Sequence, residues 1–385
     1  MSNTLTNLVP DLYAALDVVS RELTGLIPAV TVDASVNRAA VNQSVRVPIA
    51  PTSNAMVDTT PAMSVPAAAD QTIGNAAITI SKSKAVPFSW EGNEQVGLNS
   101  GPGYMGIRAN QIAQAMRTLV NDIELDLSGL HASFSRAIGT PTTTPFASDM
   151  SGAANARKIL VDNGAPGSDL QLVVDTAAGA KLHTLFGVQT GRDAVSLAEQ
   201  GILTRSAQLD IRESGQILTP TAGAMASATT SAAVLSVGQT VLPLATAGTG
   251  VVAAGDIITI ANDTNQYVVT SVTFAGANPA SGDTITIAAP GLRKAQSSAA
   301  RNITVVATAA RNMAFSRSAI VLATRMPQRP EEGDMAIDVM TITDPRTGLS
   351  FEVSMYPGYR KVRYEVALAW GVKNIKPEHT AILLG

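Results

Sequence analysis

Residues 106–141 read GIRANQIAQAMRTLVNDIELDLSGLHASFSRAIGTP, and the spacing of their apolar positions decides how the rest of the chain can fold. From Ile112 the apolar positions continue through Met116, Leu119, Ile123, Leu127, Leu130, Phe134 and Ile138 in steps of three or four, the period of one helix face. Gly139 and Pro141 then stop the pattern. The spacing predicts one helix from Gly106 to Ile138, roughly 50 Å long at 1.5 Å per residue, with a bend point at Gly129. A helix of that length needs a broad surface to lie on.

Upstream, residues 8–23 place Leu8, Leu12, Leu16, Val19 and Leu23 at helical spacing, with Pro10 suited to a first turn and Gly25 to a stop. This short amphipathic helix either packs on its own subunit or serves as an arm that docks a partner. Residues 41–50 and 76–90 alternate as half-buried strands, separated by a stretch carrying Pro51, Pro61 and Pro66. Together they read as a long two-stranded arm with a loose tip, marginal by itself and in need of something to lie on.

Downstream, residues 151–211 mix helical and extended character. SGAANARKILVDNG closes a helix on Gly164, DLQLVV reads as a buried strand, TAAGAKLHTLFG and RDAVSLAEQG as helices, and AQLDI as a strand. The sheet of this α/β unit is expected to continue in the apolar run Ser318–Ala323. Between them, from Thr219 to Ala310, the charges are Asp256, Asp263, Asp283, Arg293, Lys294 and Arg301, and short Thr/Val/Ile strands alternate with turn residues. Gly255-Asp256-Ile257-Ile258-Thr259-Ile260 is echoed by Gly282-Asp283-Thr284-Ile285-Thr286-Ile287. Each pair reads as a tight turn, glycine supplying positive φ and aspartate bonding nearby backbone, within an inserted small β-barrel or sandwich. After Pro330, MAIDVMTIT, LSFEVSMY and KVRYEVALAWGV form a β-meander whose last strand puts Val362, Tyr364, Val366, Leu368 and Trp370 on one buried face.

The composition narrows the function classes. Of 385 residues 45% are hydrophobic and only 15% charged, so much of the surface is small, polar or covered by another protein. A net charge of -3 without a basic run lacks the footprint of a protein that grips nucleic acid by its phosphates. The absence of cysteine excludes disulfides and thiolate metal ligands. The first residues lack the basic and apolar regions of a signal peptide and no apolar run is long enough to span a membrane, so a soluble, non-exported chain is expected.

Several motifs invite chemistry and fail on context. Gly101-Pro102-Gly103-Tyr104-Met105-Gly106 matches G-x-G-x-x-G, but it does not join a buried strand to the crossover helix of a compact βαβ unit. Ser81-Lys82-Ser83-Lys84 has the S-x-x-K spacing on an exposed strand, where a nucleophile and its base need one helical face in a cleft. Asp122 and Asp126, one turn apart with Glu124 nearby, offer too few oxygens for a hard cation, and Asn262–Asn265 lacks the parts of a calcium loop. His131, His183 and His379 share no zinc-ligand or triad spacing. No catalytic, metal or cofactor site is expected, and Glu331, Glu332 and Asp334 read as a solvated acidic loop.

The order of segments resembles a tailed-phage major capsid protein, and specifically the coat proteins of the short-tailed Salmonella phage family. The resemblance rests on MSNTLTNLVPDLYAALDVVSREL at the start, GDIITIANDTNQYVVTSV and SGDTITIAAP in the insertion, NMAFSRSAIVLATRMP after it and RTGLSFEVSMYPGYRKVRYEVALAWGVK near the end. It implies an α+β Hong Kong 97-type fold with a long spine helix, an extended β-arm called the E-loop and an inserted small β-barrel. The corresponding divisions are an amino-terminal arm (1–30), the E-loop (31–101), a peripheral domain (102–150 and 331–385), an axial domain (151–218 and 311–330) and the insertion (219–310). It further implies self-assembly as hexamers and pentamers into an icosahedral shell around double-stranded DNA, with separate scaffolding and portal proteins, no membrane and no cofactor. No residue matches the lysine–asparagine crosslink of some relatives. Expected subunit contacts are Lys82, Lys84 and Trp90 on the arm, Asp256 and Asp283 in the turns, and Arg360, Lys361 and Arg363 at the last strand. The competing readings are a decoration, fibre or adhesin protein with the Thr-rich block as binding module, and an enzyme using Gly101–Gly106.

Overall fold

The structure is a computed structural model that describes residues 25–49, 74–98, 104–186, 204–246, 248–276, 278–331, 333–343 and 349–385. The expected amino-terminal helix, the tip of the arm, Gly101–Gly103, the helix expected over RDAVSLAEQG and the turn at 344–348 lie outside these residues.

From the amino-terminal side, a 3-10 turn at Ile27–Ala29 leads to β1 (Thr31–Ala39), β2 (Ser44–Ile49), β3 (Gly74–Thr79), β4 (Lys82–Glu91), the short helix α1 (Gly92–Leu98) and the long helix α2 (Tyr104–Gly129). A second 3-10 turn, Leu130–Ser133, precedes β5 (Arg136–Gly139), α3 (Ser151–Asp162), β6 (Leu170–Val174), α4 (Thr176–Phe186), β7 (Thr204–Ser206) and β8 (Leu209–Glu213). Six short strands follow: β9 (Thr229–Thr230), β10 (Val241–Thr246), β11 (Ile257–Ile260), β12 (Gln266–Thr273), β13 (Thr284–Ile287) and β14 (Ile303–Val305). The chain closes with β15 (Arg311–Ser316), β16 (Ile320–Pro327), β17 (Asp338–Thr343), β18 (Ser350–Gly358), β19 (Lys361–Asn374) and β20 (Thr380–Leu384).

The long helix is amphipathic where the spacing predicts. Met116, Leu119, Ile123 and Leu127 are buried, and they pack with Leu322, Phe351, Val366, Leu368 and Trp370 from a six-stranded sheet. That sheet runs β1-β16-β19-β18-β17, with β4 on the other side of β19. Each such apolar side chain contributes about 1.5–3 kcal/mol on burial, so this interface is the main reason the helix forms.

The helix ends earlier than its spacing suggests. It stops at Gly129, and Arg136–Gly139 is the strand β5, parallel to β20 and antiparallel to β12. Serines explain the change, since their side chains compete for helix backbone. Ser133 Oγ donates to the Leu130 carbonyl at 2.7 Å, and Ser135 donates twice to Thr380 at the start of β20, from its backbone N–H to the Thr380 hydroxyl at 3.2 Å and from its own hydroxyl to the Thr380 carbonyl. Phe134 keeps its place in the core through an edge-on contact with Phe315, ring centres 6.3 Å apart, as a strand-entry residue.

A twelve-stranded sheet runs in the order β7-β8-β6-β15-β20-β5-β12-β13-β10-β9, with β11 and β14 joined at β12. Helices α3 and α4 cover its first half through Ala156, Leu160, Ala178 and Leu182. The returning strand here is β15, antiparallel to β6. The expected return at Ser318–Ala323 is corrected: Ile320–Ala323 opens β16, which lies in the six-stranded sheet between β1 and β19. A buried apolar run fits either sheet equally well, and pairing decides which.

Residues 225–305 enclose their own core, including Leu242, Ile258, Tyr267, Ile285 and Leu292. Hydrogen-bonded neighbours run β9-β10-β13-β12-β11-β14, and Thr229 bridges Asn302 beside β14, so the strands return to their starting point. The two Gly-Asp turns are joined by a third with the same geometry. Gly238, Gly255 and Gly282 have φ of +87°, +92° and +90°. In each turn the next side chain accepts from the N–H three residues back: Gln239 from Ser236 at 3.3 Å, Asp256 from Ala253 at 2.7 Å and Asp283 from Ala280 at 2.8 Å.

The arm divides into two parts. β2 and β3 form a separate two-stranded ladder, whereas Lys82–Glu91 leaves the arm to pair along β19 from Trp370 to Lys361. The root of the arm lies on its own subunit: Ile78 and Ile80 are buried against Val321, Ala323 and Ala369. The second face of β19 is therefore also covered at this end.

Candidate functional site

The expected contact residues occupy three places, and in the first two each has a partner within the subunit. The first is the seam between β4 and the long helix. Asp122 and Asp126, spaced i,i+4, share the helix face toward β4. Lys82 Nζ lies 2.6 Å from Asp126 and 3.4 Å from Asp122, and Lys84 Nζ bonds Asp122. The carboxylates that could have suggested a cation site are thus bound by lysines of the same chain. Burial opposes the charge on Lys82, yet hydrogen bonding to Asp126 and the fields of both aspartates outweigh it and raise its pKa. Burial likewise acts to raise Asp122, and the contacts with Lys84 and Lys82 overcome it and hold the carboxyl below its usual range. Trp90 closes the same seam farther along, its indole Nε1 donating to Gln111 Oε1 at 2.8 Å beside Leu98 and Tyr364.

The second place is the insertion. Asp256 and Asp283 are 5% and 8% exposed, so their carboxylates are turned inward. Besides the turn amides, Asp256 accepts from the Gly223 N–H and Asp283 from the Ala275 N–H, each at 3.1 Å. Asp263 is also buried, accepting from the Tyr267 hydroxyl at 2.7 Å and from the Asn265 backbone at 3.0 Å. The turn Asn262–Asn265 is thereby explained as structure.

The third place is the tip of the β18–β19 hairpin. Arg360 takes φ +57° at the turn and is exposed, as are Lys361 and Arg363, the latter 3.0 Å from Glu365. Lys361, Arg363 and Glu365 line a shallow cleft of about 400 Å³ with Met335, Tyr356 and Pro357. The neighbouring edge is unusually apolar: Met335, Ile337 and Met340 are 77%, 64% and 52% exposed, and Tyr359 at the tip is 90% exposed. Residues 337–341 are exposed on both faces, and β17 pairs only with β18 among the described residues.

Three buried clusters were not anticipated from the sequence, which placed Glu124 only beside Asp122 and Asp126. Glu124 points away from its aspartate neighbours, because i+2 on a helix faces the opposite side. It is fully buried and accepts from Ile27 N at 2.7 Å, Leu26 N at 3.1 Å, Gly25 N at 3.4 Å and Ser214 Oγ at 2.7 Å. Burial pushes its pKa up, against the opposing pull of those donors. Glu352, 3% exposed, binds Arg38 at 2.5 Å and Arg329 at 2.8 Å, fixing the start of the arm and the approach to β17. Arg311 is fully buried, and no described group hydrogen-bonds to its guanidinium. Burial lowers its pKa while Asp256 acts to raise it, and its field adds to burial in lowering His131. Alternating strand patterns mark none of these carboxylates or arginines as buried.

The histidines stay apart. His131 is held by the Ser128 carbonyl at 3.0 Å, His183 lies 4.0 Å from Glu213, and His379 occupies a 3-10 turn before β20. Among the described residues no group of three or more histidines and carboxylates is placed to hold a metal, and no helix is long and apolar enough to cross a membrane.

No protein-family model matches the chain, and no curated protein matches it. Solved structures do. One described as Mycobacterium phage Che8 is 13% identical, with 99% of this chain and 98% of that chain covered and a TM-score of 0.46. The capsid structure of the cyanophage P-SCSP1u is 12% identical, covering 100% and 92%, with a TM-score of 0.46. The mature capsid of bacteriophage PhiM1 is 10% identical, covering 95% and 88%, with a TM-score of 0.45.

Proposed function

We propose that this chain is the major capsid protein of a tailed double-stranded DNA bacteriophage, a structural protein of Hong Kong 97-type fold that assembles as hexamers and pentamers into an icosahedral shell. One observation carries the reading. β17 and its approach present Met335, Ile337, Val339 and Met340 to solvent beside a strand edge that no described residue pairs with, at one end of the six-stranded sheet. Such an edge in an isolated protein invites uncontrolled pairing, and it is protected when sister copies cover it.

The remaining architecture is consistent with that role. In this reading, α2 is the spine, β2 and β3 are the root of the E-loop, and the six-stranded sheet belongs to the peripheral domain. The sheet around β6 and β15 belongs to the axial domain, and residues 219–310 are the inserted barrel of the short-tailed Salmonella phage type. The self-returning strand order and separate core of 225–305 support the last assignment. The charges of the helix seam and of the insertion turns are satisfied within the subunit, so in this reading they hold the subunit together rather than join it to its neighbours. Scaffolding and portal proteins are the assembly partners, and the virion is the location.

Electron microscopy of the purified full chain, alone and with a scaffolding protein encoded in the same genome, tests this. Closed shells or tubes are expected. A chain that remains monomeric under every assembly condition, while a decoration or adhesin role is revealed by binding to preformed particles or cells, would overturn it.

A further inference from the structure

The insertion has three acidic and three basic residues, but they are not displayed equally. Asp256, Asp263 and Asp283 are buried and bound internally, whereas Arg293 and Lys294 are exposed and Arg301 is half-buried. The bases gather around one turn. Lys294 Nζ donates to the Asn262 carbonyl at 2.6 Å, and Ala261 N bonds the carbonyl of Asn302, next to Arg301, at 2.9 Å. Exposed apolar side chains flank the same segment. Val234 and Val237 are 63% and 59% exposed, and their neighbours Leu235 and Gly238 bond Gln296 and Leu292. The corner is apolar and cationic.

A complementary surface lies on the other sheet. The approach to β17 exposes Glu331 and Asp338 together with Met335 and Ile337, and neither acid has an ion pair among the described residues. Asp334, between them, is already engaged by Tyr356 at 2.9 Å and Arg329 at 3.6 Å. Burying these opposite charges and apolar groups against each other suits both surfaces better than solvent does.

We propose that the insertion corner of one copy, Arg293 and Lys294 with Val234 and Val237, docks on the Glu331–Asp338 edge of a second copy. This inference rests on the shell reading and names one of its contacts. The contact is heterologous, joining different surfaces, and therefore propagates around a ring or along a lattice.

The test is charge reversal in the full chain, read by shell yield in sedimentation and microscopy. R293E/K294E and E331K/D338K are each expected to lower yield about tenfold or more, because like charges then face one another. Combining all four substitutions is expected to restore yield toward the wild-type level, with every variant subunit still folded by circular dichroism, although R293E/K294E also removes the bonds from Lys294 to the Asn262 carbonyl and from Arg293 to the Asp162 carbonyl. Unchanged yield in both reversed variants, or loss of yield that the combination does not rescue in folded subunits, overturns the contact and leaves the shell reading standing. Failure of the wild-type chain to form any assembly overturns the shell reading and the contact together.

Discussion

Trp370 and Asp126 meet across 244 positions of sequence: the indole Nε1 donates to Asp126 Oδ2 at 2.9 Å, while Lys82 takes Oδ1 at 2.6 Å. One carboxylate thus joins the long helix to two strands of the six-stranded sheet. Removing it leaves a fully buried indole N–H without its acceptor. D126A should cost about 1–3 kcal/mol, more than K82A, whose partner remains partly exposed. Urea unfolding of both variants checks the order, and equal losses would show that the indole bond adds nothing.

The same seam sets a pH response. The folded-state pKa of Asp122 is depressed, so its contribution is present above its ordinary 3.8 and is lost as pH falls through the lower folded value. The folded-state pKa of Lys82 is raised, so its contribution is complete below 10.5 and is lost as pH rises through the higher folded value. The stability difference between wild type and K82M/K84M should therefore be flat across the neutral range and shrink at both extremes. It should also shrink in high salt, since these pairs are partly solvated. A difference independent of pH from acid to alkali would show that packing, not charge, holds the seam.

The repeated turns give a graded pair of substitutions. Gly282 has positive φ, and a Cβ added there would meet open space, so G282A should cost only the backbone term, about 1 kcal/mol. Gly255 has the same backbone, but a Cβ there would lie 3.1 Å from His131 Nε2. G255A should therefore be clearly worse, because it also disturbs the joint between the insertion and the end of the long helix. Thermal unfolding of the two variants decides, and equal melting temperatures would refute the added steric cost.

Arg311 offers a substitution expected to stabilise. Its guanidinium is fully buried and no described group hydrogen-bonds to it. An apolar side chain of similar length removes that desolvation without vacating the space. R311M should raise the melting temperature by a few degrees, corresponding to about 1–2 kcal/mol for a chain of this size. A lower melting temperature would show that the charge contributes to stability through Asp256.

The sequence determined the elements whose chemistry is local. The face of α2 from Met116 to Leu127 followed from helical spacing, and the Gly-Asp turns followed from glycine's access to positive φ and the short reach of aspartate. The third turn escaped notice because Gln239 does the same work with a longer side chain. Tertiary structure decided what depends on partners distant in sequence. The run from Leu130 to Ile138 has helical spacing but became β5 because β20 and β12 supply its hydrogen bonds. Ile320–Ala323 could have joined either sheet and was assigned by β1 and β19. Lys82, Lys84, Asp256 and Asp283 all read as subunit-contact candidates, until α2 brought Asp122 and Asp126 beside the lysines and the fold turned the two aspartates inward. Periodicity identifies which face of an element is buried, whereas the identity of the group it meets is fixed only when chain segments tens to hundreds of residues apart close upon one another.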